Sequence, residues 1–416
     1  MTIAPTGEAI ATGGSDRGVL TRVVALSFLI VMVDGYDTLM VSFVAPLIAR
    51  DLHLGPASIG QLFAAGYFGA ILGAVSMGPL SDRLGRKPLL VGALLLAAMM
   101  TFACSIADSF AQLAALRFLA GIGLGGALPA VISLTAEHAG PDRRSGTVTL
   151  MYIGYPMGAV VGGALTAALL HAGWPAVFAA AGVVCFIAAL AALAIPESFR
   201  RGARDKASAP RGNILSAPLA DGRLWPAICL WLGLFCLLLL TYALVSWAPT
   251  IIVARGGTPQ SAALAGVALN LGGISGALLS IPLINRFGPY LPIALMMFVG
   301  SGFVALIGAP LPSQAAAFGI LYMAGLCVMG AQINFPAMMV DLFPPPVRGA
   351  GSGIGMSVGR LGSIVGPLIG GALVAASLPE SRLFLLAAIP AVLAALATFT
   401  AGWLRRAQVS EATNND

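Results

Sequence analysis

Twelve apolar stretches follow one another along this chain, each about 20 residues or slightly longer. Hydrocarbon offers a backbone amide no water to pair with, so a stretch that crosses it must satisfy its own hydrogen bonds, and a helix does so within one segment. The stretches fall near residues 22–48, 57–80, 88–107, 110–135, 147–170, 174–195, 224–253, 260–284, 290–309, 313–340, 351–376 and 382–404. They predict an all-α membrane protein of twelve transmembrane helices in two six-helix halves. Composition agrees: 58% of residues are hydrophobic and 9% charged, against roughly 25% charged in a soluble domain. The net charge of +6 therefore does not point to nucleic acid.

Lys and Arg fix the expected orientation. With a cytoplasmic N-terminus, seventeen of the 22 lie in inside stretches, three (Arg50, Arg255, Arg382) in outside loops, and Arg117 and Arg360 within helices. Both termini are expected in the cytoplasm. Residues 1–21 read as a disordered tail without a cleavable signal, 22–196 and 224–405 as six-helix bundles, 197–223 as a basic cytoplasmic linker and 406–416 as a second tail. The two bundles are copies of one another. Ala45-Pro46, Gly69, Gly73 and Asp82-Arg83-Leu84-Gly85 return at an offset of 203 as Ala248-Pro249, Gly272, Gly276 and Asn285-Arg286-Phe287-Gly288. Gly121, Glu137, Arg144, Gly158 and Gly162 return at 204 as Gly325, Asp341, Arg348, Gly362 and Gly366. Repeated halves with a site at their interface describe alternating-access transporters.

Gly78-Pro79-Leu80-Ser81-Asp82-Arg83-Leu84-Gly85-Arg86-Lys87 follows the second stretch. It closely resembles the G-x-L-x-D-R-x-G-R-[KR] signature of the major facilitator superfamily, as Arg117-Phe118-Leu119-Ala120-Gly121-Ile122-Gly123-Leu124-Gly125 resembles that superfamily's fourth-helix motif. Gly85 allows a tight turn, Asp82 can accept from a helix N-terminus, and Arg83, Arg86 and Lys87 anchor one membrane face. The second copy has Asn285 for Asp82, so its latch should be weaker. Glu137 with Arg144, and Asp341 with Arg348, form matching acid–base pairs expected to latch the inner gate. Asp34-Gly35-Tyr36-Asp37 in the first helix resembles the D-G-[FY]-D of the aromatic acid:proton symporter family, as does Thr135-Ala136-Glu137 followed by Arg144.

Two carboxylates inside a membrane-length helix are costly, because hydrocarbon does not solvate an ionised oxygen. At 1.5 Å per residue, Asp34 lies about 16 Å and Asp37 about 21 Å deep, and Arg117 about 9 Å below the opposite surface, nearly level with Asp37. The expected device is a proton relay in which one aspartate takes up and releases a proton and Arg117 competes with it; a static buried ion pair uses the same residues. Arg360, flanked by Gly359 and Gly362 near the midplane, is expected to bind a substrate carboxylate bidentately, as the family resemblance also implies; neutralisation by an aspartate of the other half is the alternative. Tyr36, Tyr155, Asn270, Gln332 and Asn334 are candidates to line the pocket, with Tyr67 and Tyr152.

These readings together predict a proton-coupled symporter that imports an aromatic carboxylate, hydroxybenzoate-like, across a bacterial inner membrane. The competing readings are a facilitator-type porter for another organic acid, a sugar or a drug, and a membrane sensor or embedded enzyme. The partners expected are the small acid, protons and the lipid bilayer, with no nucleic acid, no cofactor and no metal. The chain is expected to act as a monomer.

Overall fold

The computed structural model describes residues 15–196, 219–220, 222–310 and 313–415. Its helices are α1 (Ser15–Asp51), α2 (Pro56–Leu84), α3 (Arg86–Ala103), α4 (Phe110–Tyr152), α5 (Gly154–Leu169), α6 (Trp174–Ala192), α7 (Leu224–Ala254), α8 (Pro259–Phe287), α9 (Tyr290–Ile307), α10 (Gln314–Asn334), α11 (Pro336–Leu342), α12 (Pro345–Ala375) and α13 (Glu380–Asn415). By length and composition they supply 12 membrane spans, α10 and the start of α11 together making the tenth. The sequence suggested one helix there, over 313–340. Pro336 carries no N–H, so the ladder breaks, and Phe335 N–H instead bonds back to Gln332 at 3.2 Å. A second difference lies between the fourth and fifth spans, where helical backbone continues through Tyr152 rather than pausing after residue 135.

The repeat reappears as a repeated packing scheme. In the first six spans α2 packs on α4, α1 on α5 and α3 on α6; in the second six α8 packs on α10, α7 on α12 and α9 on α13. The glycines shared by the copies mark where helix backbones meet. Gly69 and Gly73 abut Phe118 and Ile122, and their copies Gly272 and Gly276 abut Tyr322 and Leu326; a Cβ at any of the four would overlap backbone. Such contact replaces side-chain packing by direct backbone approach, which is how helices associate where no water drives them together. Gly85 and Gly288, at matching turns, both adopt positive φ of 98° and 77°.

Between the halves, α2 packs against α12 and α5 against α8. These contacts are themselves copies. Gly60 faces the carbonyl of Pro367 in the first, and Gly163 faces that of Ala263 in the second. Phe63 meets Trp247 edge-on at 5.8 Å, and Phe43 fills the space beside Gly163 and Gly266. The halves therefore close on each other at the end of the bundle that carries the α1–α2 and α7–α8 turns. At that same end Arg255 ties three helices of the second half, pairing with Glu380 at 2.5 Å and donating to Ile307 O at 2.6 Å.

Gly78 and the side chains of Asp82, Arg83, Glu137, Arg144 and Arg348, with residues 1–14, 197–218, 221, 311–312 and 416, lie outside what the structure describes. Asp341 is described, and it pairs with Arg405 of α13. The five cysteines are free and at least partly buried.

Candidate functional site

Gly35 sits where α1 crosses α5, against the backbone of Tyr155. Only a residue without Cβ allows that approach, and it brings the middle of α1 to the centre of the molecule. At 100° per residue, Asp34 and Asp37 point about 60° apart around the helix. That difference is enough to give them different neighbours.

Asp37 turns into the first half. It is 0% exposed and pairs through Oδ2 with Arg117 Nη2 of α4 at 3.0 Å. The same nitrogen donates to the Asp37 carbonyl at 3.3 Å, and Thr101 of α3 donates its hydroxyl to Oδ1 at 2.6 Å. The Arg117 guanidinium lies 5.9 Å from the ring centre of Phe178 in α6, within cation–π range. Four helices thus meet around one buried ion pair whose oxygens are satisfied on both sides. The matched depths of Asp37 and Arg117 pointed to this pair. Thr101 and Phe178 were not anticipated; Thr101 is the one hydroxyl in the apolar run 88–103, and the depth argument would have placed it level with Asp37.

Asp34 turns toward the second half. Its described hydrogen bond is from Thr38, one turn along its own helix, at 3.5 Å, and among the described residues no cation stands at ion-pair distance. Arg360 of α12 lies within electrostatic reach of Asp34 and of Tyr152 and Tyr242. The Arg360 guanidinium is half-buried and makes no ion pair among the described residues. A cluster of tyrosines lies near both charges. Tyr242 of α7 meets the ring of Tyr67 edge-on, centroids 4.7 Å apart, and its hydroxyl faces that of Tyr155. Tyr242 was missed because nothing in an apolar run separates a site tyrosine from a packing one. A small cavity opens beside this group, lined by Thr38, Phe63, Tyr67, Arg117, Gly121 and Leu124.

The remaining candidates divide. Tyr36 lies on Gly162 of α5 with its hydroxyl buried beside Thr166, and Asn270 Oδ1 and Gln332 Oε1 are buried with no hydrogen-bond partner among the described residues. Orphaned polar atoms are uncommon in folded proteins and mark places where water or a ligand completes the pairing. The Asn334 amide is occupied instead, donating to Ala277 O at 3.0 Å and Ser280 Oγ at 2.8 Å, which staples α10 to α8.

Residues 27–367 match the sequence model of the Major Facilitator Superfamily. The chain belongs to this superfamily. Among its relatives, the 4-hydroxybenzoate transporter PcaK of Pseudomonas aeruginosa is 30% identical, the alignment covering 93% of each chain. The 3-(3-hydroxy-phenyl)propionate transporter of Escherichia coli is 35% identical over 88% of this chain and 89% of its own. The gallate transporter of Pseudomonas putida is 34% identical over 92% of both. Among solved structures, a bacterial homologue of the human lysosomal transporter Spinster superposes with a TM-score of 0.75 at 19% identity, covering 92% of this chain and 96% of that one. That likeness shows the major facilitator fold.

Proposed function

We propose that this protein is a symporter that imports an aromatic carboxylate of the hydroxybenzoate type together with a proton. The observation that carries the reading is the split between the two aspartates, Asp37 neutralised by Arg117 and Asp34 within electrostatic reach of Arg360, which makes no ion pair among the described residues. Charge counting then gives the coupling. With the site empty, Asp34⁻ and Arg360⁺ offset each other across the interface. With both substrates bound, Asp34 is protonated and Arg360 holds the carboxylate, and the site is again neutral. A proton alone or an anion alone leaves one uncompensated charge inside the membrane, which is costly. Only the empty and fully loaded forms therefore rock between states at low cost.

Aromatic acids are the cargo named for the relatives above, and the tyrosine cluster offers ring faces for one. The bacterial relatives support an inner-membrane location, and the distribution of Lys and Arg supports both termini cytoplasmic, halves at 22–196 and 224–405, and an intervening cytoplasmic linker. The closed end of the bundle then faces outward.

The test is uptake of labelled 4-hydroxybenzoate into proteoliposomes with and without an inward proton gradient. Wild-type protein should accumulate the acid only with the gradient. Asp34→Asn should lose accumulation yet keep exchange of external for preloaded substrate, since a permanently neutral residue 34 imitates the protonated state. Gradient-independent accumulation by the wild type, or full accumulation by Asp34→Asn, overturns the coupling.

A further inference from the structure

We infer that Tyr242 is the specificity-determining residue that reads a hydroxyl on the substrate ring while Arg360 holds the carboxylate. The inference rests on the aromatic-acid reading and adds a hydroxyl-reading role to a residue that reading uses only as a ring face.

Three observations converge on this side chain. Tyr242 is half-buried in α7, next to the buried Thr241 and among Leu237, Leu238, Leu240 and Leu244. It touches the first half twice, through the Tyr67 ring at 4.7 Å and through the Tyr155 hydroxyl, and it lies within electrostatic reach of Arg360 in its own half. The interface between halves, where an alternating-access site must form, thus passes between the Tyr155 and Tyr242 hydroxyls. A phenol both donates and accepts one hydrogen bond. A ring hydroxyl inserted between the two tyrosines takes over the partnership they have with each other, so nothing polar is stranded. An unsubstituted ring in the same place separates them and leaves both hydroxyls unpaired, the situation in which a site rejects an analogue most strongly.

The experiment compares wild-type and Tyr242→Phe protein in proteoliposomes under a fixed proton gradient. It measures kcat/KM for 3- and 4-hydroxybenzoate and for benzoate, with competition giving the benzoate value if its uptake is slow. The Phe ring keeps the contact with Tyr67, so the fold is retained. The preference for the better hydroxybenzoate over benzoate should fall about tenfold, through a rise in the hydroxybenzoate KM, while the benzoate value stays within about twofold. An unchanged preference, or equal loss for all three acids, overturns the assignment. If wild-type protein carries and binds none of the three, the aromatic-acid reading fails and the role of Tyr242 falls with it. If wild-type transport is normal and only the preference is unmoved, the reading stands and Tyr242 alone is excluded.

Discussion

The two halves of this protein share a backbone plan and differ in where they keep their charge. In the first, Asp34 and Asp37 of α1 and Arg117 of α4 lie inside the membrane. At the equivalent positions of the second stand Leu237, Leu240 and Leu321, each at most 1% exposed. The second half has its own buried-level cation, Arg360, where the first has Pro156. The glycine crossings, by contrast, survive in both copies. Helix crossings are demanded by the fold and must hold in each half, whereas an intramembrane charge is tolerated only with a partner and a use. Duplication supplied two scaffolds, and function placed a carboxylate in one and a guanidinium in the other, facing across the interface.

That comparison can be broken most directly at the buried pair. Arg117→Leu imitates the second half's Leu321 and strands Asp37, which should cost about 3–5 kcal/mol, read as early unfolding of the detergent-solubilised protein. Adding Asp37→Leu, the equivalent of Leu240, should recover most of the loss. A double variant as unstable as the single one would show that the first half does not tolerate the second half's solution. Thr101→Val is a smaller cut. It preserves shape and removes the hydroxyl that donates to Asp37 Oδ1, so stability should fall by about 1.5–3 kcal/mol, the range for a hydrogen bond to a charged group. A neutral result would mean that Asp37 is held by Arg117 alone.

The mildest change sharpens the comparison from the other side. Arg360→Lys keeps the charge and loses the two-pronged geometry that matches a carboxylate. The apparent affinity for 4-hydroxybenzoate should weaken about tenfold, close to 1.4 kcal/mol. Unfolding should be unmoved, because Arg360 makes no ion pair in the described structure. Normal affinity in this variant would remove the carboxylate clamp from the proposed cycle.

Much of the molecule was legible before any coordinates. Apolar runs of about 20 residues can only be helices in hydrocarbon, so the number of spans and the all-α class followed from hydropathy. The offsets of 203 and 204 between copies foretold which helices repeat each other's packing. Depth along straight helices placed Asp37 level with Arg117. Depth left open which aspartate Arg117 takes, because it carries no rotation about the helix axis. About 60° around α1 sends one carboxylate to Arg117 and Thr101 and the other toward Arg360.

What the sequence by itself determined was a twelve-helix membrane protein built by duplication, with its rare charges in the middle, because apolar character sustained over about 20 positions is a strong local signal. Only the tertiary structure decided which aspartate is locked, that Thr101 completes the lock, and that Tyr242 stands where the halves meet. Those outcomes depend on contacts between residues 64 to 80 positions apart within the first half, and farther still between the halves. Hydrogen bonds hold only within a narrow window of distance and angle. Periodicity fixes each helix's depth and face to within a turn. The packing of neighbouring helices fixes the remaining ångström.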